Sequence, residues 1–535
     1  MLRRPDVDEV MEYGRALGFD LTTTEARMIQ SRMMGTVAAL EAFDELRVEE
    51  RRPPLRFTDR DPGHRPSESE DPLGAFIRRC SVKGAASGPL RGKTVALKDH
   101  IALAGVPLTF SSHMMDGYVP DFDATVVTRL LDAGATIVGK LKMEEFSWGG
   151  PGLSGVGDYG RPLNPHNRDH VTGGSSSGSG AAVAGGLVDI ALGGDQGGSI
   201  RLPAAWCGIV GLMPTHGLVP HSGVFGLEPT IDYVGPMART VEDVALSLSC
   251  LAGRDGFDPR QADVPASLPG YTDALSRGVK GLRIGLLEEG FGVKGGDRMV
   301  DEAVMEAVRT LERAGARVTR VSVPLHTKAL SALLPIYLEG GKRMYDTNFG
   351  GSFAKTYYPS SLISIFGRLK QSHAREFSPN LKLNLLQGYY LQQHYSGRLY
   401  AKAQNVRPTF VAQYDGVFGG VDVLAMPTIP LTAPRWREPR DYEDALELTM
   451  LGGARSLDLG PVIANTCPFN YTGHPALSVP CAKLGGLPVG LMLVARHFRE
   501  DTLLQAAAAY QQAVDWAALI NVTPAPISQP PGRGV

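Results

Sequence analysis

The sequence predicts an α/β fold, a β-sheet covered by helices, with a small helical domain ahead of it. Two features of the 535-residue chain point there. Short β-branched runs alternate with stretches of helical periodicity through most of its length, the pattern of strands joined by helical crossovers. Glycine supplies 64 residues, about 12% against a usual figure of about 7%, and there is no Gly-X-Y period. Backbone must therefore run close to something at several places.

In chain order, residues 1 to about 50 read as helical. Leu21-Thr22-Thr23-Thr24-Glu25 spells a capping box, with Thr22 as N-cap and Glu25 three positions on. Met28, Ile29, Met33, Val37, Leu40 and Phe43 follow at helical spacing as an apolar stripe that asks for a partner. From Arg51 to Pro72 the composition turns to Pro, Arg, Asp, Glu and Ser, which reads as a linker. Residues 1–72 are thus expected to form a helical domain with its linker, and 73–520 the main body.

In the body, Thr94–Leu97 reads as a strand, Asp123 as the cap of a helix through Val126, Val127, Leu130 and Leu131, and Thr136–Val138 as the next strand. Leu282–Leu287, a helix over Asp301–Ala314, and Val318–Val323 repeat the pattern, and Val421–Met426 and Val489–Val494 add further strands. Residues 325–414 differ. They hold nine Tyr and five Phe, so they read as a helical insertion that either fills its own core or covers a pocket for an apolar substrate. The Pro/Gly-rich end, 521–535, reads as a tail.

Charge and cysteine content exclude several classes. Lys+Arg at 54 against Asp+Glu at 56 gives a net charge of −2, which excludes a chain held to nucleic acid mainly by charge. No apolar run reaches the roughly 18 residues of a spanning helix, and the basic start lacks the apolar core of a secretory signal. Five cysteines without CxxC spacing fit buried thiols in a reducing cytoplasm and argue against a disulfide scaffold or a zinc ribbon. No run of His, Cys, Asp or Glu has metal-ligand spacing, so neither a metal nor another cofactor is expected.

Two glycine-rich stretches carry the chemistry. One is Thr172-Gly173-Gly174-Ser175-Ser176-Ser177-Gly178-Ser179-Gly180; the other runs Gly193-Gly194-Asp195-Gln196-Gly197-Gly198-Ser199-Ile200-Arg201. Consecutive glycines before a serine let several backbone N–H groups converge on one point, a nest for an anion or oxyanion. Upstream, Lys98 leaves the apolar strand Val95-Ala96-Leu97, where loss of hydration would lower its pKa and free the amine to act as a base. Rival motifs fail. Gly88 to Gly92 encloses three residues where a P-loop needs four. Gly174-Ser175-Ser176-Ser177-Gly178 fits G-x-S-x-G, but no hydrophobic strand leads into it as a nucleophile elbow requires. His166 and His170 lack the glutamate of a zinc helix.

These stretches, with Gly197-Gly198-Ser199-Ile200-Arg201-Leu202-Pro203-Ala204-Ala205, Cys207-Gly208-Ile209-Val210-Gly211-Leu212 and Asn470-Tyr471-Thr472-Gly473-His474-Pro475-Ala476-Leu477-Ser478-Val479-Pro480, resemble the amidase signature family over residues 85 to 505. The form Gly193-Gly194-Asp195-Gln196, together with the helical extension, is most similar to its bacterial enantioselective members. The resemblance implies a central mixed sheet and a triad of Ser199 as nucleophile, Ser175 as bridge after a cis Gly174–Ser175 bond, and Lys98 as base. It also implies an oxyanion hole from the amides of Gln196, Gly197, Gly198 and Ser199, with Asp195 and Arg201 as a supporting ion pair. Met213-Pro214-Thr215 and Gln196 depart from the commoner family pattern, which places substrate identity in doubt and leaves the triad intact.

The expected activity is cleavage of a C–N bond in a small-molecule amide, with anilides, carbamates and hydrazides open. Bulky or aromatic substrates are expected, with Tyr337, Tyr345, Tyr389 and Tyr390 as candidate pocket walls. The expected assembly is a homodimer through the N-terminal helices, with no nucleic-acid or membrane partner. Three alternatives remain: the glutaminase-type subunit of a tRNA amidotransferase, an α/β-hydrolase-type esterase, and a non-catalytic homologue.

Overall fold

The structure is a computed structural model that describes residues 2–149, 158–351, 354–449 and 461–522. It divides into two compact units, Met1–Arg52 and Pro53–Val535. The first unit holds the helices Val7–Ala16 and Thr23–Asp44. Each starts with a reciprocal capping box, Asp6 with Glu9 and Thr22 with Glu25, which satisfies amide groups that a helix start otherwise leaves open.

The second unit is built on one twelve-stranded sheet. Its strands are β1 (Arg60–His64), β2 (Phe76–Lys83), β3 (Thr94–Lys98), β4 (Thr136–Leu141), β5 (Ile190–Asp195), β6 (Val210–Met213), β7 (Tyr233–Ala238), β8 (Arg283–Leu287), β9 (Arg317–Val321), β10 (Val423–Pro427), β11 (Ala476–Leu484) and β12 (Leu487–Val494). They lie in the order β1-β2-β4-β3-β5-β7-β6-β11-β12-β10-β8-β9. Parallel pairs β4-β3-β5 and β10-β8-β9 are joined by antiparallel ones, so the sheet is mixed. The central parallel strands are covered on both faces and read accordingly as unbroken apolar runs, Val95-Ala96-Leu97 in β3 and Ile190-Ala191-Leu192 in β5, all fully buried.

Helix Ser177–Ala184 is buried along its whole length, because its small side chains let it lie against the sheet beside Ala96 and Ala191. Gly178 shows how close the approach is. A Cβ there would stand 2.4 Å from the Ala75 carbonyl oxygen.

The insertion forms helices Ala329–Pro335, Gly341–Asp346, Ser360–Ser372, Pro379–Tyr395 and Arg398–Val417. Its aromatic residues share a core with the body. Phe349 stacks on Phe110 at 5.6 Å and 3°, and Phe366 and Phe377 meet Phe146 edge-on.

Two local expectations need correction. Within the segment read as a linker, Arg60–His64 pairs with β2 as an edge strand, where Pro62 and Gly63 are accommodated by a shift of register. Asp123 does not cap the helix Thr125–Asp132; its carboxylate takes both Arg60 guanidinium nitrogens, at 2.8 and 2.5 Å, and the Ala104 amide. The tail lies outside the described residues beyond Val522.

Candidate active site

Lys98 is the last residue of β3, and the run that makes this strand a buried one carries its side chain into the interior with no exposure at all. Its Nζ donates to Ser175 Oγ at 2.7 Å and to the Gly194 carbonyl at 3.3 Å. Burial pulls its pKa down to about 7, against the opposing pull of Asp195, Glu144 and Asp232. The ammonium and the neutral amine are therefore both populated near neutrality.

Ser175 follows a cis peptide bond from Gly174. Its carbonyl accepts from the Glu144 amide at 3.0 Å, and a Cβ on Gly174 would meet Glu144 Oε1 at 2.6 Å, so a larger residue there would push that carboxylate aside. The next residue joins the two glycine-rich stretches. Ser176 N–H donates to the Ser199 carbonyl at 3.3 Å, while Ser176 Oγ accepts from Gly194 N at 3.2 Å and donates to Gly194 O at 3.1 Å. Ser176, the central serine of the G-x-S-x-G match, is thus a buried strut. It follows no strand, which removes the geometric basis of the nucleophile-elbow reading.

Ser199 is nearly buried and lies just ahead of helix Arg201–Cys207. The turn that holds it is organised around one carboxylate. Asp195 accepts from Gly198 N at 2.6 Å, Ile200 N at 3.0 Å and Asn470 Nδ2 at 2.8 Å, and meets Arg201 through Nε at 3.0 Å. Burial alone would raise its pKa, but the Arg201 charge and these donors hold it below the usual carboxylate value. Arg201 in turn donates to the Thr466 carbonyl at 2.9 Å and to Asn470 Oδ1 at 2.7 Å, and Thr466 Oγ1 donates to Gly197 O at 2.6 Å. The Gly198 amide, expected to face an oxyanion, is here given to Asp195.

The structure therefore brings Lys98, Gly174, Ser175, Asp195, Gln196, Gly197, Gly198, Ser199 and Arg201 into one buried neighbourhood. Glu144, Thr466 and Asn470 belong to it as well. Asn470 stands in a motif that assigns it no role, and nothing in the linear pattern marks Glu144 or Thr466. A second buried pair, Asp99 Oδ1 with Lys140 Nζ at 2.9 Å, adjoins Lys98 in the chain, and Asp99 Oδ2 accepts from Thr109.

The four tyrosines fall into two groups. Tyr389 and Tyr390 are about half exposed on helix Pro379–Tyr395. Tyr337 packs edge-on against Trp148 at 5.0 Å, and Tyr345 against Phe366 and Phe377. A cavity of about 120 Å³ is lined by Phe225, Gly226, Asp232, Phe349 and Tyr357 among others. Burial, reinforced by nearby Glu228, pushes the Asp232 carboxyl up to about 7, with the Gln196 side chain beside it. Tyr345 lines an adjoining cleft that shares Gly226 and Phe349 with this cavity.

Against known proteins, the family model for Amidase matches residues 77–504. An enantioselective amidase of Rhodococcus rhodochrous is 38% identical over 522 residues, 96% of each chain. A glutamyl-tRNA(Gln) amidotransferase subunit of Natronomonas pharaonis is 39% identical over 444 residues, 81% of this chain and 99% of its own. The solved peptide amidase of Stenotrophomonas maltophilia superposes with a TM-score of 0.61 at 30% identity, over 79% of this chain and 83% of its own. With the family model spanning most of its length, the chain belongs to the amidase signature family and is an amide-hydrolysing enzyme.

Proposed function

We propose that the enzyme cleaves linear amides through an acyl-enzyme on Ser199, with Ser175 and Lys98 as the proton relay. The observation that carries this reading is the 2.7 Å contact between Lys98 Nζ and Ser175 Oγ, in a fully buried site whose loop is tied to the Ser199 loop through Ser176. Neutral Lys98 takes the Ser175 proton as Ser175 takes that of Ser199, and Ser199 Oγ attacks the carbonyl carbon. The oxyanion is met by the amides of Gln196, Gly197 and Ser199. The relay then returns its proton to the departing amine, and water repeats the sequence on the acyl-serine to release the acid. Mass spectrometry of the protein after an amide or serine-directed inhibitor should place the acyl adduct on Ser199; an adduct elsewhere refutes the assignment.

Substrate preference is read from the 120 Å³ cavity. Phe225, Phe349 and Tyr357 offer apolar faces, which suits bulky or aromatic acyl or amine groups. The amidotransferase alternative is weighed by extent. The match to the Rhodococcus amidase covers 96% of this chain and those to amidotransferase subunits 81% (Natronomonas) and 93% (Roseiflexus), so extent favours the hydrolase by a narrow margin. Hydrolysis of aliphatic and aryl amides by the single purified chain separates the two.

The reading includes a homodimer. Met28, Ile29, Leu40 and Phe43 are exposed on Thr23–Asp44, and their apolar surface suits a second copy. Five free cysteines agree with a reducing cytoplasm, and among the described residues no helix is long and apolar enough to cross a membrane.

A further inference from the structure

Asp415, His474 and His497 come from three separate segments. Asp415 sits in the last turn of helix Arg398–Val417, His474 just ahead of β11, and His497 just past β12. The antiparallel pairing of Ala476 with Val494 places the two histidines at the same end of that ribbon, and their rings lie 4.0 Å apart, tilted by 33°. One donor atom from each of the three residues lies within 4.8 Å of the other two. Linear spacing could not reveal this set.

Thr472 contacts both rings. Its Oγ1 donates to the Pro468 carbonyl at 3.0 Å and lies 2.9 Å from His474 Nδ1. Its carbonyl can only accept, so it takes the proton of His497 Nε2 at 3.0 Å. These contacts hold His474 Nε2 and His497 Nδ1 as the ring atoms turned away from Thr472. His474 has no exposure, and its Nε2 stands 3.4 Å from Asp415 Oδ1, a separation that one shared cation can bridge.

We propose that Asp415, His474 and His497 bind one divalent transition-metal ion of the zinc class, with water completing its shell. Bonds of about 2.0–2.1 Å in tetrahedral geometry set ligand atoms about 3.3 Å apart, which the His474–Asp415 pair already meets. His497, partly exposed, needs only a side-chain adjustment to close on the ion. Two imidazoles and one carboxylate favour zinc over the oxygen-seeking magnesium and calcium, and the nearby Arg496 charge reduces what Asp415 alone could offer a hard cation. The Thr472 contacts orient both rings as outer partners of metal-bound histidines do. The ion ties helix Arg398–Val417 to β11 and β12, four residues from Asn470, and takes no part in bond cleavage.

The test uses the full chain, stripped by chelation and titrated with Zn²⁺ by calorimetry and with Co²⁺ by visible absorption. One ion per chain is expected, with a rise in Tm on adding Zn²⁺. Asp415→Asn and His497→Gln, both near the surface, should each weaken binding at least tenfold and abolish the Tm rise while amidase activity stays unchanged. Two results would overturn the proposal. One is the absence of saturable binding at micromolar Zn²⁺, which means that His474 Nε2 simply donates a proton to Asp415. The other is unaltered binding in both variants, which places the ion elsewhere.

Discussion

Arg201 and Asp195 meet through two contacts, Nε to Oδ2 at 3.0 Å and a terminal guanidinium nitrogen to Oδ1 at 3.1 Å, and neither side chain is exposed to solvent. The pair is the frame on which the Ser199 turn is wound, since the same carboxylate holds the Gly198 and Ile200 amides. Removing one partner strands a buried charge. Arg201→Met should therefore cost about 3–5 kcal/mol in urea unfolding, together with most of the activity. A variant of full stability would show that the turn holds itself.

Ser199→Ala removes the atom that becomes acylated, so turnover should fall by roughly 10⁵–10⁶-fold with the fold retained. Ser176→Ala should behave differently. It loses two contacts to Gly194 and should lower stability while an acyl adduct still forms on Ser199. Circular dichroism and intact mass separate the two outcomes.

The pH dependence follows from Lys98. Its pKa is lowered to about 7, and the neutral amine is the working base, so kcat/KM should rise with pH and level off above about 7. Lys98→Ala should lose about 10²–10⁴-fold and the acid limb with it. Asp232 shares the range, since burial pushes it up to about 7; Asp232→Asn should leave the Lys98 limb in place. A profile that keeps its limb without Lys98 would refute the base assignment.

Gly178→Ala should be destabilising although alanine is the better helix former. The added carbon meets the Ala75 carbonyl oxygen at 2.4 Å and the Lys142 backbone at 2.7 Å, both in the sheet layer, and overpacking of this kind costs about 1–3 kcal/mol. A higher Tm in the variant would show that the helix can shift outward.

For specificity, Phe349→Ala and Tyr357→Ala should change the ratio of kcat/KM for an aryl over a small aliphatic amide, since both residues line the cavity beside Asp232. Tyr389→Ala and Tyr390→Ala, on an exposed helix face, should leave the ratio unchanged. Equal losses on both substrates in the first pair would move the substrate pocket elsewhere.

What was legible in the sequence follows from the range of the forces involved. The strand ending at Lys98 and the Thr22 capping box depend on neighbours a few residues away, and both stand as read. The serine and glycine stretches were legible because close backbone approach demands those residue types in one place. Glu144, Thr466 and Asn470 were not, because each reaches the site by tertiary packing and leaves no local signature. Edge strand Arg60–His64 hid for a related reason: its Pro and Gly are loop residues everywhere except on a sheet margin. Asp123 had the right spacing for a cap, but the Arg60 guanidinium, distant in sequence, claimed it first. Tyr337, Tyr345, Tyr389 and Tyr390 were chosen by composition, which counts rings and does not separate those packed beside Trp148 and Phe349 from those on an exposed helix face.

The path of the chain through the sheet separates two kinds of change. Residues 325–414 leave after β9 and return at β10, strands with only β8 between them, so the excursion begins and ends about 10 Å apart across the sheet. The strand that ends at Lys98 and the loops that carry Ser175 and Ser199 are all completed earlier in the chain. The segment can therefore be exchanged or reshaped as a cassette, altering what the cavity admits while the proton relay is inherited unchanged. Its shared packing with Phe110 and Phe146 sets the condition: a transplanted cassette must bring rings that fit those two, or take its sockets with it.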